Sequence, residues 1–209
     1  MTGGSIVGCY TTENGGAVAV GSGTFEMAGG VIKSCKAAED GGAVRVSVKE
    51  GTFTMTGGSI EGCTAKNGSA LCLYGTMNAG GVTVNGTVVL DVKNDGSKGI
   101  IQGSGTNATR FNGDVTNYGT ISHGTFSGTV TLGNSTLSGK ITGGTFNGQV
   151  TTDSGGEADI SGGVFNNIVT INRGEITNGT FNKDVVVDNA LGSFSCTTLT
   201  DGTYNGLII

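Results

Sequence analysis

The chain has no proline, no tryptophan, one histidine and three arginines, and only 13% of its 209 residues are charged. Without proline or a Gly-X-Y period it cannot be a collagen. With 16 acidic and 11 basic side chains, a net charge of −5 and its Lys and Arg scattered, it has no footprint for releasing counterions from a nucleic acid. The opening Met1-Thr2-Gly3-Gly4-Ser5 has neither a basic stretch nor an apolar one, so no signal peptide is expected there. Apolar runs last a few residues, far short of a membrane span, so direct membrane insertion is not expected. The lone His123 cannot assemble a catalytic triad or a His-based metal site. Five cysteines (Cys9, Cys35, Cys63, Cys72, Cys196) without a CxxC pair argue against zinc and against a complete disulfide framework. No cofactor is expected. Low charge together with 35% hydrophobic residues excludes a disordered chain.

What is abundant is glycine, at 42 residues, and it is arranged in repeats. Met1-Thr-Gly-Gly-Ser-Ile-Val-Gly-Cys9 recurs as Met27-Ala-Gly-Gly-Val-Ile-Lys-Ser-Cys35 and Met55-Thr-Gly-Gly-Ser-Ile-Glu-Gly-Cys63, at nearly equal offsets. Each copy runs into a second strand, as in Gly15-Gly-Ala-Val18 and Gly41-Gly-Ala-Val44, and a third, as in Gly23-Thr-Phe25 and Gly51-Thr-Phe53. The second half repeats another block, close to I-[ST]-x-G-x-F-[NS]-x-x-V. Its aromatics are Phe111, Phe126, Phe146, Phe165, Phe181 and Tyr204, and an aliphatic stands five residues before each of the last five (Ile121, Ile141, Ile160, Ile176, Leu199). The arm from Val to the next aliphatic varies from 6 to 14 steps, so one face is held while another tolerates insertion.

Apolar residues alternate with polar ones and nowhere keep a helical period, which predicts strands. Parity points Val44, Val46, Phe53 and Met55 inward and Arg45, Thr52 and Thr54 outward. Short repeats with one inward face suit a solenoid whose turns bury one another. The expectation is an all-β, single-stranded right-handed parallel β-helix of about ten turns and about 45–50 Å. It divides into an array of 26–28-residue repeats over 1–84, irregular transition turns over 85–110, and the F-[NS]-x-x-V array over 111–209, as one continuous solenoid. The six aromatics should stack as an interior ladder, and Asn112, Asn147, Asn166, Asn182 and Asn205, with Ser127 interrupting, as a second at the corner. Cys9, Cys35 and Cys63 should form an interior sulfur column of small buried thiols.

Gly-Gly-Ala-Val at 15–18 and 41–44, with the G-x-F strands around it, resembles the right-handed parallel β-helix repeats of bacterial surface proteins: autotransporter passenger domains and polymorphic outer-membrane adhesins. Phe25-Glu-Met-Ala and Phe53-Thr-Met-Thr stand where the polymorphic family carries F-x-x-N. The resemblance covers nearly the whole chain as architecture. It implies an extracellular stalk or adhesive role at a bacterial surface, usually within a larger secreted chain, and carries over no functional residue. Its partners would be host or surface glycans or proteins, and neighbouring repeats or capping domains. Met1 at a repeat position and Leu207-Ile208-Ile209 inside a block lead to the expectation of a piece of a longer array, or of ends covered by partners, with oligomers through uncapped ends as one form of cover.

A polysaccharide-binding or polysaccharide-degrading protein, a lyase or hydrolase, is the main alternative, and the degrading chemistry needs clustered carboxylates with calcium or a basic residue. The best cluster is Asp153, Glu157 and Asp159 with Arg173 one turn on, weighed against an ordinary solvated loop. Asp91-Val-Lys-Asn-Asp95-Gly96 faintly matches a calcium loop, but Lys93 occupies a ligand position and Gln102 replaces the closing Glu, so a turn is expected. Cys72 aligns with outward Ala19 and Arg45 and is the thiol expected to react. Outward threonines (Thr24, Thr52, Thr54, Thr129, Thr131) raise ice binding, against which stands the unequal spacing of the aromatics from Phe111 to Tyr204, which should spoil the register. Ligands are expected against the elastic arms near 151–159 or 186–198, because loops carry function on a fixed scaffold. A fibre component that trimerises is a third reading.

Overall fold

The computed structural model describes residues 1–103, 109–187 and 197–209. Among them there is no helix. Strands of two to nine residues form a sheet of seventeen strands, a second of nine, and a lone pair, and every pairing between named strands is parallel. Parallel pairing between strands one repeat apart is what a chain makes when it coils and lays each turn on the last. The architecture is a parallel β-helix.

Three interior columns define it. The first runs Phe25, Phe53, Met77, Ile101, Ile121, Ile141, Ile160, Ile176 and Leu199. The second runs Ile6, Ile32, Ile60, Val84, Phe111, Phe126, Phe146, Phe165, Phe181 and Tyr204, which counts ten rungs. The third runs from Val18 through Val44, Leu71, Val88, Val115, Val130, Val150 and Val169 to Val185. The two kinds of repeat are thus one: the isoleucine of M-x-G-G-x-I and the phenylalanine of the second block occupy the same site, joined through Val84. The phenylalanines from Phe53 onward in these columns are fully buried.

Stacking follows from the coil. From Phe111 to Tyr204 successive rings are 4.6–5.0 Å apart between centroids and within 3–9° of parallel. Each such pair contributes about 0.5–1.5 kcal/mol beyond the area it buries. At the adjoining corner the amides form a ladder: Asn166 donates to Asn147, Asn182 to Asn166 and Asn205 to Asn182, each at 2.8 Å. Asn112 donates at 2.7 Å to Asn85, a rung that sequence reading missed.

The segment 85–110, expected as irregular transition turns, carries strands of the coil. Val88–Leu90 pairs with Leu71–Leu73 and Val115–Asn117, and Ile100–Gly103 pairs with Thr76–Ala79 and Thr120–Ile121. Among its described residues, the arm between Leu90 and Ile100 leaves the wall. The same holds along the chain: unequal aromatic intervals do not spoil the register, because extra residues leave at arms while paired strands stay aligned. Thr116, Thr131, Thr151 and Thr170 stack in an outward column despite their unequal spacing. Each of these three-residue strands points only that one residue outward, so the column is one threonine wide and makes no flat threonine array.

The Gly-Gly-Ala-Val corner has a definite cause. Gly41 adopts φ +67°, a region that disfavours side chains. Gly42 is packed so tightly that a Cβ there would stand 2.2 Å from the Ser69 carbonyl oxygen. The first glycine turns the chain and the second lets adjacent turns touch.

Candidate functional site

The structure brings together three of the four expected residues. Glu157 and Arg173 face each other on adjacent rungs, with Nη2 to Oε2 at 3.5 Å and both side chains about half exposed. Such a pair contributes about 0–1 kcal/mol. Asp159 lies two residues along the same strand, on the same outward face as Glu157. Asp153 does not join them. Its carboxylate caps its own turn, accepting from the Ser154 amide at 2.7 Å, while its carbonyl accepts from the Gly156 amide at 2.7 Å and the Asn172 side chain at 3.1 Å.

Sequence reading missed two neighbours. Asp159 is flanked by Lys140 on the rung before and Glu175 on the rung after, and the three line a depression of about 80 Å³ with Ile160, Ser161 and Thr177. The signal was present, since each precedes the column isoleucine (Ile141, Ile160, Ile176) and therefore points outward. The depression has room for about two or three waters. Carboxylates that cleave a glycosidic bond must flank it, whereas Asp159 and Glu175 stand side by side on one open sheet face. Arg173, the nearest basic candidate of the set, is paired with Glu157.

The cysteines are corrected in two places. Cys35 and Cys63 are buried as expected, with the Cys35 amide donating to Cys63 Sγ at 3.4 Å and Cys35 Sγ to the Lys33 carbonyl at 3.4 Å. Cys9 is exposed rather than interior, lying on the first rung with a neighbouring rung on one side only. Cys72, expected to be exposed and reactive, is completely buried. It does occupy the outward position between Arg45 and Val89, as parity demands. A second layer of polar side chains covers it, and burial pushes its thiol up to about 12.

That layer is the most organised cluster outside the core. The Tyr74 hydroxyl donates to Asp91 Oδ2 at 2.8 Å. The Arg45 guanidinium carbon lies 5.3 Å and the Lys93 ammonium 4.8 Å from the Tyr74 ring centroid. Arg45 Nε stands 3.6 Å from Asp40 Oδ2, and Asp40 Oδ1 accepts from Asn67 at 3.0 Å. Lys93 also donates to the Ser47 carbonyl, and Ser97 Oγ accepts from the Lys49 amide at 3.3 Å. The arm after Leu90 therefore reaches back over Tyr74 to the chain beyond Val46. Burial and the bond to Asp91 push the Tyr74 phenol well above its ordinary value. Arg45, expected in solvent, is outward but covered.

The same arm contains the D-x-K-N-D-G stretch, and it is a turn. Asp95 accepts from the Ser97 amide at 2.8 Å, and Asp91 accepts from the Val92 amide and Tyr74. Bonding to Ser97 holds the Asp95 carboxyl below the usual carboxylate range. Among the described residues no group of three or more His, Cys, Asp or Glu is placed to hold a metal ion. Of the arm at 186–198, residues 188–196, including Cys196, lie outside the described residues.

Comparison of the chain with protein-family models, with curated proteins and with solved structures gives no match.

Proposed function

We propose that the chain is a non-enzymatic extracellular repeat segment, a rigid stalk or adhesive surface of a bacterial surface protein. The supporting observation is that three interior columns keep register over nine or ten rungs each while residues of variable number leave at the arms. A coil whose successive turns are tied by main-chain bonds and stacked rings resists bending, and nine steps of about 4.8 Å make a rod of about 43 Å. Side chains on its outer faces are presented at fixed spacing, which suits display and adhesion. Neighbouring repeats or capping domains, and host or surface glycans or proteins, are the partners this reading names.

One observation favours a second reading. Lys140, Asp159 and Glu175 around their depression are the nearest approach to the face of a polysaccharide-degrading enzyme of pectin-lyase-like fold. An activity screen on acidic and neutral glycans, with and without calcium, separates the two. The stalk reading predicts no turnover. Turnover abolished by Asp159→Asn or Glu175→Gln would replace it.

A further inference from the structure

On the first three rungs the residue after each repeat cysteine points outward: Tyr10 after Cys9, Lys36 after Cys35, Thr64 after Cys63. Strand pairing sets them side by side, with Tyr10 opposite Lys36 and Lys36 opposite Thr64. They line a groove of about 540 Å³ with Ala37, Ala38, Ala65 and Lys66. It is an open hollow on the wall of the coil, not an enclosed cavity. Three small alanines leave the hollow open, and Ala37 closes its floor, being 1% exposed.

The chemistry of the lining is uneven. Tyr10 is 62% exposed, a large apolar ring with a polar tip left in water. The Lys36 ammonium lies 6.0 Å from its centroid, which orients the cation toward the groove. Lys66 is the second cation, and its partner Glu39, at 3.3 Å, lies outside the lining. A groove with two ammonium groups and no carboxylate stands out on a chain of net charge −5.

We propose that this groove binds a carboxylated saccharide. The Tyr10 ring packs against the apolar face of a sugar ring, Lys36 receives its carboxylate, Lys66 joins only by turning from Glu39, and the Thr64 hydroxyl is available to its hydroxyls. A ring that is apolar on one face and wet at its edge matches Tyr10 better than a flexible acidic peptide does, because it loses less freedom on binding. The inference deepens the adhesive reading and rests on it, and it places the ligand on the wall of the coil rather than against the arms. As an electrostatic contact at exposed lysines, binding should weaken with salt.

The test is titration of the whole chain with oligogalacturonate, its neutral methyl-ester form and poly-glutamate, followed by amide chemical shifts. Oligogalacturonate should shift residues 10–11, 36–38 and 64–66, and the ester should bind at least tenfold more weakly. Tyr10→Ala and Lys36→Gln, both at exposed positions, should each weaken binding at least fivefold, with Lys183→Gln, at an exposed position after Phe181, leaving it unchanged. Equal binding of poly-glutamate would overturn saccharide recognition. Binding that survives both groove variants, or no binding at all, would overturn the site. The adhesive reading would fail separately, if no glycan or host surface protein bound anywhere on the chain.

Discussion

The Tyr74 hydroxyl donates a 2.8 Å hydrogen bond to Asp91 Oδ2, tying the arm that follows Leu90 to the rung before it. Through that bond, and through Lys93 lying over the same ring, a polar layer closes on Cys72. Among the described cysteines, alkylation at neutral pH, mapped by peptide, should therefore modify Cys9 first and leave Cys35, Cys63 and Cys72 protected in the folded chain. Cys9 reacts through exposure, since slight desolvation and Cys35 raise its thiol rather than acidify it. Tyr74→Phe should speed modification of Cys72. Labelling of Cys72 as fast as Cys9 in the unaltered chain would contradict the covering layer.

Alkaline stability follows from the same burial. The ordinary thiol value is 9.0, and burial pushes Cys63 up to about 11 and Cys72 up to about 12. Between these limits the folded chain keeps protons that the unfolded chain has released. Stability is thus fully present below pH about 9 and is lost as pH rises toward 12, at about 1.4 kcal/mol per pH unit for each such group. Chemical denaturation at pH 8, 9.5 and 10.5 should show this fall, and Cys72→Ala should make it shallower. An unchanged slope in that variant would contradict the burial of Cys72.

The aromatic ladder should be cooperative with the coil. Phe146 lies between Phe126 and Phe165, at 5.0 and 4.9 Å between centroids. Phe146→Ala should cost about 3–5 kcal/mol. Asn166→Ala, which removes two 2.8 Å amide bonds at the exposed corner, should cost about 1 kcal/mol. Urea denaturation checks both, and equal costs would contradict the division into core and corner.

Glycine substitutions should sort by contact. A Cβ at Gly42 would stand 2.2 Å from the Ser69 carbonyl oxygen, whereas Gly23 has nothing within 4 Å. Gly42→Ala should cost about 3 kcal/mol or more and Gly23→Ala about 0.5 or less. Thermal melts of the pair are sufficient.

The parts that could be read from sequence are those repeated at fixed spacing. The aliphatic five residues before each aromatic pins two columns at once, so the phenylalanine ladder needed no structure. Asn85 escaped because Val84-Asn85-Gly86 carries valine where Phe111-Asn112-Gly113 carries the aromatic. Parity gave the direction of Cys72 correctly but could not show that an arm from the next turn lies across it. That arm is a single insertion with no repeat to reveal it. The Tyr10, Lys36 and Thr64 row was visible as the residue after each cysteine, but its groove depends on Ala37, Ala38 and Ala65 coming together across rungs.

The central claim is tested most directly by distances between spin labels along one outward column, with Cys9 and Cys196 replaced by serine. Ser59 and Thr180 lie six rungs apart in the column through Thr83, Arg110, Thr125, Thr145 and Val164. At the strand spacing of a sheet, labels there should give one narrow distance of about 29 Å. Moving the second label to Thr145, four rungs from the first, should shorten it to about 19 Å. A broad distribution, or a distance that does not shorten with the number of rungs, would contradict the continuous coil.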